Sequence, residues 1–499
     1  MTATASVRLG AVSWSVPLLL SLLACKDKDP EPVVAIESDS IVLRLVNPTD
    51  EDPFVGVSSL RLEVAAGGEV VASSEFELGD SPELGDLAAY GAVRFRLAGL
   101  SGTSVLSYGR SSEVVLYPGV DRSVPILFLP VNEVLPITSD EMAADRSEHL
   151  ATRLRDGRLL LVGGRAPDGF AAYADLEIYD PELLEFQSLG DSLPQGTAGL
   201  EGAWTEDYTE LIITGGTTLG AGAEPSAATV SVDAESLQVD IVDDMTTERS
   251  GHCFTIFKDT SGIALGGNSD VPQGDYLKVD ANSGIWVWEE LDLDDLDESQ
   301  VTGCATAESG KVFVQGLDSD STGVFDYTNL ARVQGVDIEE AFSPLGSDDD
   351  FLPLQGAMLI PVPGNAVWVG GGMVRDESGL TASPNEEGQL FLLDSETFVT
   401  AADPEVTRVN GSWDHWIEEG WAVLGCGSAD GTAVNIQTRV ELVDLKTGDR
   451  LSTDVVMDRQ RADCKVTTML DGSVLITGGF SATQVGQSTA AVLIPYLGD

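Results

Sequence analysis

Residues 156–164 read DGRLLLVGG, and residues 471–479 read DGSVLITGG. Each stretch joins a tight Asp-Gly turn to a short apolar strand that ends in two glycines. The same ending recurs between them, once with Cys426 between two glycines and once in the degenerate copy KVFVQG that ends at Gly316. The paired glycines are Gly163-Gly164, Gly215-Gly216, Gly266-Gly267, Gly371-Gly372 and Gly478-Gly479. The sequence therefore contains seven copies of one β unit.

A second signature gives the length of the unit. Met142-x₃-Arg146-x₂-His149 recurs at Met245 with Arg249 and His252, and at Met457 with Arg461 and Cys464. The methionines are separated by two and by four units of about 52 residues. A repeat of this length is typical of an architecture in which each unit packs against its neighbours.

The pattern resembles kelch repeats, whose signature is the glycine pair that ends the second strand of each propeller blade. The resemblance covers residues 131–499, includes Tyr179 at the family's aromatic position, and implies an all-β, seven-bladed β-propeller. The last unit has only three strands before Tyr496, whereas an extra strand is predicted at 133–137. We expect this N-terminal strand to complete the seventh blade, which would remove exposed sheet edges.

Residues 33–130 carry a different pattern of short strands separated by turns. Arg44, Arg61, Glu63, Arg94 and Arg96 alternate with apolar neighbours, which predicts strands with one wet and one buried face. About seven such strands in about 100 residues favour an immunoglobulin-like β-sandwich. The domain is interpreted as a spacer or as a recognition module.

The first 24 residues predict a signal peptide. Arg8 precedes an apolar stretch from Leu9 to Leu23, which is too short to span a bilayer. The ending Leu22-Leu23-Ala24-Cys25 resembles the lipobox of bacterial lipoproteins and implies cleavage before Cys25 and lipidation of its sulfur. Residues 25–32 then form a charged tether. Lys26 after the cysteine favours the outer membrane; the alternative is an ordinary secretory signal with a chance cysteine.

The composition limits the partners of the chain. Its 499 residues include 82 Asp and Glu but only 27 Lys and Arg, which gives a formal net charge of −55. Such a chain is repelled by phosphates, so nucleic-acid binding is excluded, and the membrane is contacted only through the lipid at Cys25. We expect a monomer that binds an envelope protein or a glycan.

The other four cysteines predict disulfides, because an exported chain meets oxidising conditions. Cys253 and Cys304 occupy equivalent places in adjacent units. Cys426 ends one strand and Cys464 begins a strand of the next unit, at the same end of neighbouring blades. We predict the pairs Cys253–Cys304 and Cys426–Cys464, with buried free thiols as the alternative.

No motif in the sequence defines a catalytic or metal centre. Of the three histidines, His149 and His252 occupy the repeated slot, where packing or hydrogen bonding between blades is a simpler explanation than metal ligation. No stretch matches the Cu ligands of the copper-radical oxidases that are also kelch-like propellers. The leading function is non-enzymatic binding without a cofactor; the alternative is a mutarotase or lyase that uses carboxylates in the central funnel.

The predicted binding face carries the long loops that follow the second and fourth strands of each unit. These loops include Met373 to Gly388, with Arg375 as its only basic residue, and two acidic runs. The acidic runs predict a negative rim for a cationic partner or Ca²⁺, with solvated loops as the alternative. The rim residues are Asp292, Asp294, Asp295, Asp348, Asp349 and Asp350.

Overall fold

The computed structural model describes residues 3–8, 40–80, 82, 91–117, 120, 122–219, 223–258, 261–267, 274–280, 283–291, 301–318, 321–326, 342–345, 352–375, 382–416, 420–432, 434–447, 449, 455–481, 483 and 487–497. Within these ranges the ordered elements are β-strands, mostly in antiparallel sheets, and there is no helix. Accordingly, the described part of the chain has no helix long and apolar enough to cross a membrane.

Two sheets form the N-terminal part. Their strands are β1 (Ala3–Arg8), β2 (Ser40–Val46), β3 (Ser59–Ala66), β4 (Glu69–Glu77), β5 (Ala92–Ser101), β6 (Ser104–Arg110), β7 (Val114–Val115), β8 (Arg122–Leu127) and β9 (Leu129–Pro130). One sheet has the order β1-β2-β8, with β2 and β8 parallel. The other has the order β4-β3-β5-β6-β9, and β7 pairs with β5.

The two N-terminal sheets share one hydrophobic core. Leu43 and Ile126 from the first sheet pack in the same cluster as Leu62 and Phe95 from the second. Their strand neighbours with polar side chains point away from this cluster, as strand alternation requires. Within residues 112–117 the strand is limited to Val114–Val115. Strand β4 is missing from the sequence prediction because most of its residues are exposed and give no apolar alternation.

Strand β1 lies within the predicted signal peptide, which was expected to stand outside the fold. Its backbone pairs antiparallel with β2, from Ala3 opposite Leu45 to Arg8 opposite Ser40. The other side of β2 is occupied by β8, so β1 covers its remaining edge. Cleavage before Cys25 would expose that edge.

Seven further sheets, called sheets 1 to 7 in chain order, contain the repeats. They are preceded by β10 (Val134–Pro136). Sheet 1 consists of β11 (Leu150–Arg153), β12 (Leu159–Val162), β13 (Asp175–Asp180) and β14 (Glu185–Asp191). A small sheet of β15 (Thr197–Ala198), β18 (Thr217–Thr218) and β19 (Glu224–Pro225) accompanies sheet 2, which consists of β16 (Glu201–Trp204), β17 (Glu210–Thr214), β20 (Thr229–Asp233) and β21 (Val239–Ile241).

The remaining sheets follow the same order. Sheet 3 has β22 (Cys253–Ile256), β23 (Gly262–Leu265), β24 (Gly274–Val279) and β25 (Trp286–Leu291), and sheet 4 has β26 (Val301–Thr306), β27 (Val312–Gly316), β28 (Gly323–Phe325) and β29 (Phe342–Pro344). Sheet 5 has β30 (Leu354–Val362), β31 (Ala366–Arg375), β32 (Ala382–Pro384), β33 (Gly388–Leu392) and β34 (Thr397–Thr400). Sheet 6 has β35 (Ser412–His415), β36 (Trp421–Gly425), β37 (Arg439–Asp444) and β38 (Val455–Val456), and sheet 7 has β39 (Lys465–Thr468), β40 (Val474–Thr477) and β41 (Ala490–Leu493).

The sheets contact one another in a closed order. Sheet 7 takes β10 as its fourth strand, with Val134 opposite Leu493, so the segment expected to close the repeats lies beside the last strand. The first strands of sheets 2 to 7 contact each other in sequence, and β39 also contacts β11 of sheet 1. Sheets 1 and 2 are joined by a hydrogen bond from Trp204 Nε1 to Thr152 Oγ1, 2.8 Å long.

Each glycine pair has left-handed backbone conformation at both positions. Gly478 and Gly479, for example, have φ of 64° and 91°. A Cβ on Gly478 would lie 2.4 Å from the Arg146 carbonyl oxygen of sheet 1, so only glycine allows this approach. In sheet 5 the pair lies inside β31, which continues to Arg375 and returns as β32. Part of the predicted loop from Met373 to Gly388 is therefore a β-hairpin.

A buried arginine joins each of four sheets to its own glycine turn. Arg146, Arg249, Arg408 and Arg461 are all fully buried. Their Nη1 atoms donate to the carbonyl oxygens of Gly163, Gly266, Cys426 and Gly478, at 3.0, 2.8, 3.1 and 3.1 Å. Each guanidinium is also paired with a carboxylate. Arg146 is paired with Asp175 and Glu177, Arg249 with Asp275, Arg408 with Glu441, and Arg461 with Asp458.

The backbone of the same arginines ties the preceding sheet. Gly479 donates its N–H to the Arg146 carbonyl oxygen at 2.8 Å, Gly216 to that of Arg249 at 2.9 Å, and Gly372 to that of Arg408 at 2.6 Å. Each donor is the second glycine of the pair in the preceding sheet. One residue thus holds two adjacent sheets together. We call this arrangement the arginine clamp.

Side chains in the repeated slot provide further ties between sheets. His149 Nε2 of sheet 1 lies 2.9 Å from Thr477 Oγ1 of sheet 7, and His252 Nε2 of sheet 3 lies 2.8 Å from Thr214 Oγ1 of sheet 2. Cys464 occupies the same slot in sheet 7 and forms a disulfide with Cys426 of sheet 6, with Cα atoms 5.6 Å apart. A second disulfide joins Cys253 of sheet 3 to Cys304 of sheet 4, with Cα atoms 5.5 Å apart.

Replacing Arg249 by leucine should destabilise the fold by about 3–5 kcal/mol, because Asp275 would be left buried without its counter-charge. Urea unfolding of both chains measures the difference. Arg158→Leu is the matched control, since its ion pair with Asp156 is partly exposed and should contribute no more than about 1 kcal/mol. Equal losses in the two variants would contradict the arginine clamp.

Candidate functional site

Left-handed backbone recurs at the starts of the first strands of six of the seven repeat sheets. Each such residue comes just before or at the start of a first strand: Glu148, Gly199, Gly251, Gly356, Asn410 and Asp463, with φ between 48° and 67°. Neighbouring members are linked through the backbone, as Glu148 N donates to the Asp463 oxygen (3.2 Å) and Gly199 N to the Glu148 oxygen (2.8 Å). We call this set of residues and the side chains it presents the axial mouth.

Ionisable side chains from three sheets act on one another at the axial mouth. The carboxylate of Glu148 is paired with Arg165. Its Oε1 lies 2.7 Å from Arg165 Nε, and its Oε2 lies 2.8 Å from Arg165 Nη2. Burial and then the charge of Glu148 raise the pKa of Asp463 to about 6, although Lys465 and Arg165 oppose the change. Sheets 1 and 7 therefore share one electrostatic cluster.

Glu201, at the start of β16 in sheet 2, belongs to the same cluster. Burial raises the pKa of its carboxyl to about 7, and the charge of Lys465 in sheet 7 opposes this rise. The charge of Lys465 therefore acts on carboxyls of two different sheets, Asp463 in sheet 7 and Glu201 in sheet 2. At neutral pH this carboxyl is close to half protonated, so it can both donate and accept a hydrogen bond.

The backbone conformation at the mouth indicates that these side chains have a role besides stability. Glycine occupies this place in sheets 2, 3 and 5, where left-handed φ has no steric cost. Glu148 adopts φ of 52°, which disfavours a glutamate by about 1 kcal/mol or more. A strained carboxylate kept beside Asp463 is a hypothesis of function drawn from an observed outlier.

The sequence pattern contained a signal for this site. Glu148 directly precedes His149, and Asp463 directly precedes Cys464. In sheet 3 the residue at the same place, before His252, is Gly251. The mouth also lies at the same sheet ends as the glycine pairs, on the predicted binding face. Sequence reasoning missed these residues because left-handed backbone at a glutamate cannot be read from residue types.

The structure does not describe the predicted rim residues. Asp292, Asp294, Asp295, Asp348, Asp349 and Asp350 lie outside the described residues, as does Cys25. Arg375 is described only as backbone at the end of β31. The Ca²⁺ rim therefore stays a prediction.

The tryptophans of sheet 6 divide between two environments. Trp413 packs in the cluster of sheets 5 and 6, and its ring lies 5.3 Å from that of His415. Trp416 and Trp421 pack towards sheet 7, where Trp416 Nε1 donates to the Gly472 oxygen at 2.9 Å. Packing between sheets accounts for Trp413, whereas Trp416 and Trp421 also line a cavity.

The comparisons with known proteins address the fold alone. No protein-family model matches the chain, and no curated protein matches it. Among solved structures, the chain is similar to a fungal alcohol oxidase with catalytic diversity among the AA5 family, in complex with copper. The two are 14% identical with a TM-score of 0.54, and the match covers 71% of this chain and 75% of that one. This shows a shared β-rich fold.

The histidines do not fit a copper centre like the one named for that neighbour. Burial and the charge of Arg249 lower the pKa of His252 to about 3, and burial and Arg146 lower that of His149. Both rings are neutral, but their Nε2 atoms are engaged by threonine hydroxyls of adjacent sheets. Within the described ranges, no group of three His, Cys, Asp or Glu side chains is arranged to hold a metal.

Replacing Glu201 by glutamine should stabilise the protein more at pH 8 than at pH 5. Its pKa in the folded state, about 7, exceeds the ordinary value of 4.5, so the folded state binds the proton more tightly. The resulting stability is fully present below pH 4.5 and is lost as the pH rises through 7. The gain in the variant should reach about 2 kcal/mol at pH 8.

Chemical denaturation between pH 5 and pH 8 measures this gain. Glu235→Gln, at an exposed turn of sheet 2, is the control and should show no such trend. A gain for Glu201→Gln that does not depend on pH would show that its carboxyl titrates normally.

Proposed function

We propose that this chain is a lipid-anchored binding protein of the bacterial cell envelope. Its seven repeat sheets are the blades of a kelch-like β-propeller, and its N-terminal sheets form an immunoglobulin-like β-sandwich. The axial mouth recognises an envelope protein or a glycan that presents a cationic group. The observation that carries the proposal is the strained Glu148 beside Asp463 and Glu201 at that mouth.

The contact order of the sheets supports the propeller. Seven repeat sheets, of which six have four strands and sheet 5 has β32 as a fifth, match the number expected of blades around an axis. The first strands of sheets 2 to 7 contact in sequence, and β39 of sheet 7 contacts β11 of sheet 1. Strand β10 pairs with β41 of sheet 7 and so covers the edge that the last repeat strand would otherwise expose. Two sheets around one core, including a parallel β2-β8 pair, support the sandwich.

Repeated polar residues are used for structure, which supports binding over catalysis. The buried arginines, both slot histidines and the disulfides hold sheets together, so they are not available to a substrate. The mouth differs because its carboxyls are half-buried and lie at an opening. The three carboxyls Glu148, Glu201 and Asp463 outnumber the cations Arg165 and Lys465 that act on them. Their excess negative charge attracts a cation more strongly in a half-buried place than it would in bulk water.

One observation favours an enzyme as the second candidate. Two carboxyls that both feel the charge of Lys465, with pKa values of about 7 and 6, resemble the general acid and base of reactions on sugars. Glu201 would then donate a proton and Asp463 would accept one, as in a mutarotase or lyase. This candidate requires turnover, which the binding proposal does not.

Removing the negative charge of the mouth should abolish partner binding. The double variant Glu148→Gln/Asp463→Asn, immobilised in detergent, should lose the envelope component that the intact chain captures from its native membranes. The control is Glu182→Gln/Glu235→Gln, which removes two exposed charges from the opposite sheet ends and should retain capture. Capture should weaken as the pH falls from 8 to 5, because Glu201 and Asp463 become protonated.

A glycan panel in the same assay separates the two candidates. Capture retained by the double variant would move the binding site away from the mouth. Product formation that is lost in Glu201→Gln would replace the binding proposal by the enzyme.

Replacing Cys25 by serine should release the chain from the membrane. The sulfur is the predicted site of lipid attachment, and two or more acyl chains are needed for stable anchoring. Metabolic labelling with an alkyne fatty acid and detergent phase partitioning measure the change in the producing cells. Cys464→Ser, in which another cysteine is lost, should still be labelled; labelling of Cys25→Ser would contradict the anchor.

A further inference from the structure

A cavity of about 380 Å³ lies between the N-terminal part and sheets 6 and 7. One wall is the face of β3, β5 and β6 that points away from the N-terminal core. The opposite wall contains Trp416, Trp421, the turn at Asp471-Gly472-Ser473 and the chain end from Ile494 to Leu497. Its volume is within the range of about 300–1,000 Å³ for small-molecule sites.

The strand register places three arginines in this cavity. Glu63, Arg96 and Arg110 lie opposite one another in one row across β3, β5 and β6. Arg61, Ala98 and Tyr108 form the next row. All six line the cavity. Three of the 27 basic residues of a chain with net charge −55 therefore meet in a single pocket.

The charges on the walls favour an anion. Arg61 is paired with Glu63 at 3.4 Å, and Arg110 donates its Nε–H to the main-chain oxygen of Asp471. The Asp471 carboxylate accepts from the N–H and hydroxyl of Ser473, at 2.9 and 2.7 Å. Among the described residues that line the cavity, three guanidinium groups face two carboxylates, which leaves an excess positive charge.

Arg96 is the residue whose charge is least satisfied. Its Nε is buried and has no hydrogen-bond partner. Arg110 lies directly opposite it on β6, whereas Glu63, opposite it on β3, is already paired with Arg61. Like charges directly opposite one another destabilise a sheet, and an anion between Arg96 and Arg110 would relieve this. A guanidinium fork is suited to bidentate bonding with a carboxylate.

The aromatic side chains indicate what else the ligand contains. The rings of Tyr108 and Tyr496 lie 5.2 Å apart, and the Arg110 guanidinium lies 5.8 Å from the Trp416 ring. Flat aromatic faces beside hydrogen-bonding groups suit the apolar face of a sugar ring. The walls are also firmly held, because Tyr108 and Leu129 pack in one cluster with Met469 and Val492 of sheet 7.

We propose that this cavity, lined by Arg61, Arg96, Arg110, Trp416 and Trp421, binds an acidic saccharide through the carboxylate of a uronic acid residue. The carboxylate lies between Arg96 and Arg110, and the sugar ring packs against the tryptophans. The site is separate from the axial mouth, and its ligand has the opposite charge.

Calorimetry of the intact chain in detergent with digalacturonate tests the proposal. Digalacturonate should bind, the neutral disaccharide of galactose should bind at least tenfold more weakly, and Arg96→Met should raise the Kd for digalacturonate roughly tenfold. Arg94→Met is the matched control, since Arg94 lies on the same face of β5 and also has a buried Nε without a partner, but does not line the cavity. It should leave the Kd unchanged.

Additional variants and ligands in the same calorimetry experiment distinguish the possible explanations. Arg96→Lys retains the charge without the fork and should give an intermediate Kd if Arg96→Met does not fold. Galactose 6-phosphate tests another anionic sugar, and tighter binding of it than of digalacturonate would overturn the carboxylate assignment. Absence of binding, or equal binding by Arg96→Met and the intact chain, would overturn the site. Glu148→Gln/Asp463→Asn should bind digalacturonate normally, which separates this result from that at the mouth.

Discussion

The arginine clamp is the interaction on which the order of the repeat sheets depends. A guanidinium that is fully buried donates to the turn of its own sheet, while the backbone oxygen of the same residue accepts from the preceding sheet. Burying such a charge is costly unless it is paired, and the facing carboxylates give each guanidinium a counter-charge. The glycine pairs make the geometry accessible, because a Cβ on the first glycine, as at Gly266 or Gly478, would collide with the backbone of the next sheet. At the equivalent place Cys426 is instead bonded to Cys464 of the next sheet. Clamp and glycine turn therefore require each other.

The slot next to the clamp shows that one geometry accepts different chemistry. A histidine bonded to a threonine joins sheets 7 and 1 and sheets 2 and 3, whereas a disulfide joins sheets 6 and 7 at the equivalent place. Cys426 even adopts the left-handed conformation of the glycine that it replaces, with φ of 59°. Each solution fills the same space between sheets, and each removes a polar or reactive group from the solvent. The recurrence of this slot along the repeat is thus explained by packing between sheets.

The few basic residues are concentrated where the fold or a site needs them. Four arginines are buried in clamps, and three more line the junction between the N-terminal part and sheet 7. The acidic residues cover the rest, and at the axial mouth they are held in strained or poorly solvated positions. The two proposed sites therefore have opposite character. One presents carboxyls around an axis, and the other presents guanidinium groups between aromatic rings.

The sequence by itself determined the all-β class, the number of repeat units, the glycine turns and the cysteine pairs, because these depend on residue type and spacing. The alternation of Arg61, Glu63, Arg94 and Arg96 likewise indicated one polar face on each strand. Only the tertiary structure decided what covers that face, since Trp416 and Tyr496 come from residues hundreds of positions away. The axial mouth also depends on tertiary structure, as Glu148, Glu201 and Asp463 belong to three different sheets. Spacing along one chain reports local backbone geometry, but the electrostatics of a site depend on which sheets lie side by side.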